Sequence, residues 1–200
     1  MTKLAQSFYT RSDVVQISKE LLGKYLFTYM DGVLTGGKIV ETEAYCGEND
    51  LACHSHSGKR TSRTEIMFHT GGVAYTYLIY GIYTLFNVIT NEAGKADAVL
   101  IRAIEPIEGI PEMLLRRNHA KVTPRLTAGP GLLTLALGIN KKHYGTDLTG
   151  NVIWLEDWNE QVPEDQIIAS PRVGVGYAGA DALLPWRFRL KNSKWTSPAK

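Results

Sequence analysis

The sequence predicts a single α+β domain, and three observations support this fold class. The chain has 200 residues, which matches one domain of ordinary size with a sizeable hydrophobic core. Hydrophobic residues make up 44% of the chain and charged residues 21%, which excludes an intrinsically disordered protein. Short strand-like and helix-like segments follow one another without the βαβ alternation of a parallel fold. We therefore expect residues 1–200 to form one α+β domain.

Composition and patterning exclude other classes of protein. Two cysteines cannot build a disulfide-dense secreted scaffold or a four-cysteine zinc ribbon. Residues 66–91 lack Asp, Glu, Lys and Arg, but a span there would place tyrosines, threonines and Asn87 in hydrocarbon, so we expect no membrane span. The first residues do not form a secretory signal. A cytoplasmic location is expected, at the nucleoid in a bacterium, or a nuclear one in a eukaryote.

The first part of the chain contains one predicted helix and one predicted strand. Ser12 can cap a helix over residues 14–22, where apolar side chains recur at helical spacing before Gly23 supplies a stop. Residues 38–45 are typical of a strand, and a polar loop follows over residues 46–63.

The middle of the chain is predicted to be β-rich. Residues 73–80 and 82–90 contain many β-branched and aromatic residues and meet at Gly81, which favours a β-hairpin. A further strand is predicted over residues 98–104.

Two helices and two strands are predicted in the last part of the chain. Residues 108–117 indicate a short helix with a proline in its first turn. Residues 130–137 are apolar on all sides and end at Gly138, which indicates a buried helix. Residues 151–156 and 186–190 are typical of strands.

Two glutamates and a tyrosine share one face of the strand predicted over residues 38–45. Because side chains alternate along a strand, Glu41, Glu43 and Tyr45 point the same way. Carboxylates are costly in a core, so this motif by itself favours an exposed edge of the sheet. The functional alternative is a general base that lines a pocket beside an aromatic wall.

Four potential zinc ligands lie in the polar loop, namely Cys46, Cys53, His54 and His56. Their spacing matches none of the common closed zinc sites, and the sequence offers no second ligand pair. We therefore predict no metal site.

Tyrosines are concentrated around Gly81. Tyr75, Tyr77, Tyr80 and Tyr83 are more tyrosines than a core usually holds, since each buried hydroxyl needs a partner. They indicate either an amphipathic sheet surface or a stacking platform for a flat ring, with an apolar wedge at the turn. Stacking contributes ~1–3 kcal/mol per base, and extruding a nucleotide costs on the order of a few kcal/mol, so two such contacts could hold a flipped base.

Charge is distributed unevenly, although the formal net charge is only +2. Residues 113–142 and 182–200 contain no Asp or Glu, whereas residues 156–165 form an acidic cluster. Residues 57–63 form a small, basic, hydroxyl-rich loop suited to phosphate oxygens. Solvated faces are the simpler interpretation of the charge runs, but local positive patches remain open.

Six short motifs occur in order along the chain: VETEAY at 40–45, ACHS at 52–55, YLIYG at 77–81, LIRAIEP at 100–106, AGPG at 128–131 and RVGVG at 172–176. In this combination the sequence resembles the alkyladenine (3-methyladenine) DNA glycosylase family over nearly its whole length.

The resemblance implies one compact domain around a curved antiparallel β-sheet, with a protruding β-hairpin that inserts into DNA. It implies a monomeric, monofunctional glycosylase whose partner is double-stranded DNA containing damaged purines. The enzyme would flip 3-methyladenine, 7-methylguanine, hypoxanthine or ethenoadenine out of the duplex and hydrolyse the N-glycosidic bond, leaving an abasic site. Neither a metal nor an organic cofactor is expected.

The resemblance also implies roles for individual residues. Glu43 would activate the attacking water, which Arg102 and the main-chain carbonyl of Val173 would help to position. The base-binding residues would be Tyr45, His54, Tyr77 and Asn87; the DNA-intercalating residues Tyr80 and Ile82; and the phosphate-binding residues Thr61, Arg63 and Lys141.

Two positions depart from the family pattern. Leu132 stands where the family often has lysine, and Thr64 where asparagine often follows the loop arginine. One phosphate contact is therefore expected to be missing. The alternative function is a non-catalytic nucleic-acid-binding module that uses the same tyrosines and basic loop, and a zinc-dependent hydrolase is the third.

Overall fold

A nine-stranded sheet forms the centre of the computed structural model, which describes residues 1–198. Lys200, in the predicted acid-free C-terminal run, lies outside the described residues. The strands are β1 (Thr2–Lys3), β2 (Tyr25–Met30), β3 (Val33–Tyr45), β4 (Ala74–Ile79), β5 (Tyr83–Thr90), β6 (Asp97–Glu108), β7 (Ile153–Asp157), β8 (Ile167–Ser170) and β9 (Arg187–Leu190). The order across the sheet is β1-β7-β2-β3-β6-β5-β4, with β9 paired to β3 and β8. All these pairings are antiparallel, so the predicted mixed fold is confirmed, with an open antiparallel sheet.

Strand β3 organises the sheet. One edge pairs with β6, and the other edge pairs first with β2 and then with β9. The strand is longer than predicted because Gly36 and Gly37 belong to the ladder. A Cβ at Gly36 would collide with the ring of Phe27, and one at Gly37 with the Glu105 carbonyl, so glycine permits the close pairing here.

The other predicted strands are confirmed, with ends displaced by at most four residues. β4 and β5 pair from Ala74–Val88 to Ile79–Tyr83 and are joined by residues 80–82. Strands β1, β2 and β8 lie in segments where no strand was predicted.

Four α-helices occur within residues 1–198: α1 (Gln6–Tyr9), α2 (Val14–Glu20), α3 (Ile110–Arg117) and α4 (Pro130–Leu137). α4 has the predicted bounds and ends at Gly138, which adopts a left-handed φ of 73°. The predicted Ser12 cap of α2 is wrong, because the side chain of Asp13 accepts the hydrogen bond from the Gln16 N–H at 2.9 Å. α3 begins two residues later than predicted because β6 continues to Glu108.

The main hydrophobic core joins helices α2, α3 and α4 to strands β3, β5 and β6. A second, smaller cluster connects the loop around Cys53 and the short turn Glu65–Phe68 to β4, β5 and β6. Tyr75 of β4 belongs to this second cluster, and Tyr77 packs against it. In the described part of the chain, no helix combines the length and apolar character needed to cross a membrane.

Candidate active site

A pocket of about 610 Å³ opens beside strands β4, β5 and β6. Segments 52–54, 129–132 and 173–177 complete its walls. The volume lies within the roughly 300–1,000 Å³ typical of small-molecule sites. Eight of the predicted site residues line it: Tyr45, His54, Arg63, Tyr77, Tyr80, Asn87, Arg102 and Val173.

Glu43 is fully buried (0% exposed), and each of its three partners lines the pocket. Its Oε1 accepts a 2.8 Å hydrogen bond from the N–H of Val173 and lies 3.2 Å from Nη1 of Arg102. Its Oε2 accepts a 2.8 Å hydrogen bond from the hydroxyl of Tyr45. The expectation of an exposed strand edge is therefore wrong, because donors from distant segments satisfy the buried carboxylate.

Val173 contacts Glu43 through its amide N–H, whereas the family resemblance assigns a role to its carbonyl. The preceding Arg172 fixes this segment from a buried position. Its guanidinium donates to both carboxylate oxygens of Asp50 and, at 2.9 Å, to the carbonyl of Ala44. Neither Arg172 nor Asp50 was predicted as a site residue, although the RVGVG motif contains the arginine.

Glu41 forms a second buried carboxylate site next to Glu43. Its Oε1 accepts hydrogen bonds from Arg102 Nε at 2.8 Å, Arg187 Nε at 2.7 Å and Ser197 Oγ at 2.8 Å. Its Oε2 accepts from the Ser197 N–H at 2.6 Å. Burial alone would raise the pKa of Glu41, but Arg102, the Ser197 N–H and Arg187 outweigh it and hold that pKa below its ordinary value.

One wall of the pocket is aromatic and contains a neutral histidine. His54 Nδ1 lies 2.9 Å from the hydroxyl of Tyr75, and its ring meets that of Tyr77 edge-on at 4.8 Å. Arg63 lies 4.5 Å from the centre of the Tyr77 ring. Burial, and then the charges of Arg63 and Lys59, lowers the pKa of His54 to about 4, so its imidazole is uncharged at pH 7.

Asn87 reaches the pocket from β5 and is almost completely buried. It pairs in register with Tyr75 on β4 and with Leu100 on β6. Its amide donates a 3.2 Å hydrogen bond to the carbonyl of Tyr75. The side chain is therefore anchored to the strand that carries the aromatic wall.

The turn between β4 and β5 presents two apolar side chains to solvent. Tyr80 is 85% exposed and Ile82 is 70% exposed. Tyr80 has a φ of 53° and Gly81 a φ of 70°, and the Ile82 N–H donates to the Ile79 carbonyl at 3.1 Å. Positive φ at both central residues is the backbone of a tight hairpin turn, which strongly favours Asn, Asp or Gly at the position that Tyr80 occupies.

The three predicted phosphate-binding residues have different surroundings. Thr61 lies in an exposed turn, where the hydroxyl of Thr64 accepts from the Thr61 N–H at 2.9 Å and donates to the Lys59 carbonyl at 2.9 Å. Arg63 lies against the aromatic wall, and Lys141 is exposed at the start of a short 3₁₀ turn. Thr64, one of the two departures from the family pattern, therefore has a structural role in closing the Thr61 turn.

Across residues 1–198, the His, Cys, Asp and Glu side chains form no group of three or more placed to hold a metal ion. Cys46 and Cys53 are free thiols, and burial raises the pKa of the Cys53 thiol to about 11.

Comparison with known proteins places the chain among DNA glycosylases. A family model described as methylpurine-DNA glycosylase matches residues 7–194. A Bacillus cereus (strain G9842) protein named "Putative 3-methyladenine DNA glycosylase" is 44% identical over 203 residues, covering 96% of this chain and 97% of the relative. A protein of the same name from Bacillus cytotoxicus is 44% identical over 207 residues, covering 98% and 99%. The predicted resemblance is confirmed, and the chain belongs to the methylpurine-DNA glycosylase family.

Proposed function

We propose that this protein is a monofunctional DNA glycosylase that removes alkylated or deaminated purines from duplex DNA. It flips the damaged nucleotide into the pocket beside Glu43 and hydrolyses the N-glycosidic bond, which leaves an abasic site. The observation that carries the proposal is a buried carboxylate held by three pocket-lining groups, next to the aromatic wall of a pocket of about 610 Å³.

Glu43 is proposed as the general base. A carboxylate has about four lone-pair sites, and the contacts of Glu43 use two on Oε1 and one on Oε2. The remaining site on Oε2 accepts a proton from water as the water oxygen attacks C1′ of the flipped nucleotide. Arg102 and the carbonyl of Val173 are proposed to hold that water in place.

The electron pair of the N-glycosidic bond leaves with the purine. The charge of that purine therefore determines whether the site must also supply a proton to the departing base. An N-alkylated purine is already positively charged and departs as a neutral molecule, so a single base is sufficient. Tyr45 and Tyr77 are proposed to sandwich the flipped base and His54 to contact its edge. Asn87 is proposed to crowd the exocyclic amino group of normal guanine.

DNA binding is proposed to use the turn between β4 and β5. Tyr80 and Ile82 would enter the gap left by the flipped nucleotide, since both side chains are already exposed. Thr61, Arg63 and Lys141 are the proposed phosphate contacts. A monomer is sufficient for this chemistry, and since the relatives named above are bacterial, the proposed place of action is the cytoplasm, at the nucleoid.

The substitution Glu43→Gln tests the proposal. It removes the basic oxygen and nearly preserves shape, so we expect excision to be lost while binding to lesion-containing DNA remains. Single-turnover excision is measured on duplexes containing 7-methylguanine, 3-methyladenine, hypoxanthine or ethenoadenine, with EDTA present, and binding by fluorescence anisotropy. Glu108→Gln, which changes an exposed glutamate on β6, is the matched control. Excision by Glu43→Gln at the control rate would refute the assignment of the base.

The same assay distinguishes the alternatives. A non-catalytic nucleic-acid-binding module would bind the duplexes without releasing a base, and a zinc-dependent hydrolase would lose activity in EDTA. The buried carboxylate favours the glycosylase over the binding module, because burying a charge next to a DNA-binding pocket brings a pure binder no benefit.

A further inference from the structure

Four charged groups form a buried cluster beneath the pocket, namely the carboxylates of Glu41 and Glu43 and the guanidinium groups of Arg102 and Arg187. The two negative and two positive charges cancel. Arg102 contacts both carboxylates, with Nε on Glu41 and Nη1 on Glu43. Arg187 contacts Glu41, although β9 places it opposite Glu43 in register.

We propose that Arg187 is a positioning residue for Glu43, which it influences through Glu41 and Arg102. This inference rests on the proposed role of Glu43 as the general base. Because Arg187 and Ser197 also bind Glu41, Arg102 contacts Glu41 through Nε alone, and its Nη1 remains for Glu43. Ser197 also accepts a 3.2 Å hydrogen bond from Arg102 Nη2, which fixes the rotation of the guanidinium group.

The other titratable groups near Glu43 are either uncharged tyrosines or paired with a group of opposite charge. The further titratable groups that face it are Tyr45 on its own strand, Tyr77 on β4 and Arg172 beside Val173. Arg172 is paired with the buried carboxylate of Asp50. The balance of charge around Glu43 is therefore set chiefly by the four-group cluster, and within that cluster by whether Arg187 neutralises Glu41.

Two single substitutions are expected to shift the pH dependence of excision in opposite directions. In Arg187→Gln, Glu41 and Glu43 share one guanidinium, so protonation of Glu43 becomes easier and the acidic limb of the rate profile moves up by about 1 pH unit. In Glu41→Gln, two guanidinium groups face one carboxylate, so the limb moves down. The double variant restores neutrality, and its limb returns to the wild-type position.

The measurement is the single-turnover rate of 7-methylguanine release between pH 4 and 8. This substrate is cationic, so protonation of the leaving group does not contribute to the acidic limb. Arg187→Lys keeps the charge and is expected to leave the limb in place. Arg189→Gln is the control for ion pairing, because Arg189 lies on β9 in register with Glu41 but makes no ion pair among the described residues.

The outcomes separate this inference from the proposed function. Opposite shifts in the two single variants, cancelling in the double variant, support it. An unshifted limb in a folded Arg187→Gln, or a shift of the same size in Arg189→Gln, overturns it. If a thermal melt shows that Arg187→Gln is not folded, the result for Glu41→Gln decides alone. In that case an upward shift of the acidic limb of Glu41→Gln, or no shift, overturns the inference. Full activity of Glu43→Gln would instead refute the assignment of Glu43 as the general base, on which this inference rests.

Discussion

At the scale of single residues, Tyr45 combines two functions in one side chain. Its ring lines the pocket, and its hydroxyl donates to Oε2 of Glu43. Burial, followed by the negative charge of Glu43, raises the pKa of Tyr45 well above its ordinary value, so the hydroxyl keeps its proton at every physiological pH. A permanent donor orients the carboxylate and leaves one face of Oε2 for water.

The substitution Tyr45→Phe separates these two functions. It keeps the ring but removes the donor, and hydrogen bonds to charged groups contribute about 1.5–3 kcal/mol, so we expect excision to slow by at least about 10-fold. Single-turnover release of 7-methylguanine measures the effect, and DNA affinity should change little. Tyr29→Phe, at an exposed tyrosine of β2, is the control and should excise at the wild-type rate. An equal rate in Tyr45→Phe would show that the hydroxyl does not contribute.

At the scale of secondary-structure elements, two tight turns of the same type differ in sequence. The turn between β2 and β3 has Asp31 and Gly32 at positive φ, which is a favoured pair for this geometry. The turn between β4 and β5 has Tyr80 and Gly81 at similar angles. A left-handed tyrosine costs roughly 1–2 kcal/mol, and Tyr80 recovers little by packing because it is exposed. Strain without burial is typical of a functional position.

We therefore expect Tyr80→Asn to stabilise the protein and impair its function. Asparagine tolerates the left-handed backbone, so the free energy of unfolding in urea should rise by about 1 kcal/mol. Loss of the exposed ring should shorten the lifetime of flipped ethenoadenine, which is measured by the recovery of its quenched fluorescence. Asp31→Tyr, which introduces the same strain in the other turn, should lower stability and leave flipping unchanged. A normal flipped-state lifetime in Tyr80→Asn would place the intercalating side chain elsewhere.

At the scale of the whole molecule, a net charge of +2 conceals an uneven distribution. Much of the acidic cluster at residues 156–165 is paired with lysines from the first part of the chain: Asp157 with Lys24, Glu160 with Lys38 and Glu164 with Lys19. None of these lysines belongs to the acid-free run at residues 113–142. Among the described residues, Arg116 of that run pairs with Glu112, whereas its other positive charges remain available for phosphate. Helix α4 carries Leu132 from the run to the pocket wall.

The substitution Leu132→Lys tests this distribution. A lysine at this half-buried position on the pocket rim adds one phosphate contact, so affinity for duplex DNA should rise and the slope of log K against log salt should steepen by about 0.9. Anisotropy titrations at several salt concentrations measure both quantities. Leu135→Lys, at an exposed position of α4 outside the pocket, adds the same charge as a control. An equal change in slope for both variants would mean that DNA does not approach the N-terminal end of α4.

The sequence predicted correctly those elements whose ends depend on residues close by in the chain. α4 was predicted with its full bounds, since a proline in the first turn and Gly138 after the last are short-range features. β3 was predicted too short, because Gly36 and Gly37 are typical of a break unless a partner strand packs against them. The buried state of Glu41 could not be predicted either, since Arg102, Arg187 and Ser197 lie 61, 146 and 156 residues away.

The sequence by itself determined the family, the fold class and the list of candidate residues, because ordered motifs and hydrophobic periodicity are local properties of the chain. Only the tertiary structure decided the electrostatics of the site: that Glu43 is buried, accepts two hydrogen bonds and forms an ion pair with Arg102, and that Arg187 neutralises its neighbour Glu41. The reason is physical. The ionisation and orientation of a buried carboxylate depend on donors within hydrogen-bond distance, and here several of them reach it only after β6, β9 and the segment beyond β9 pack against β3.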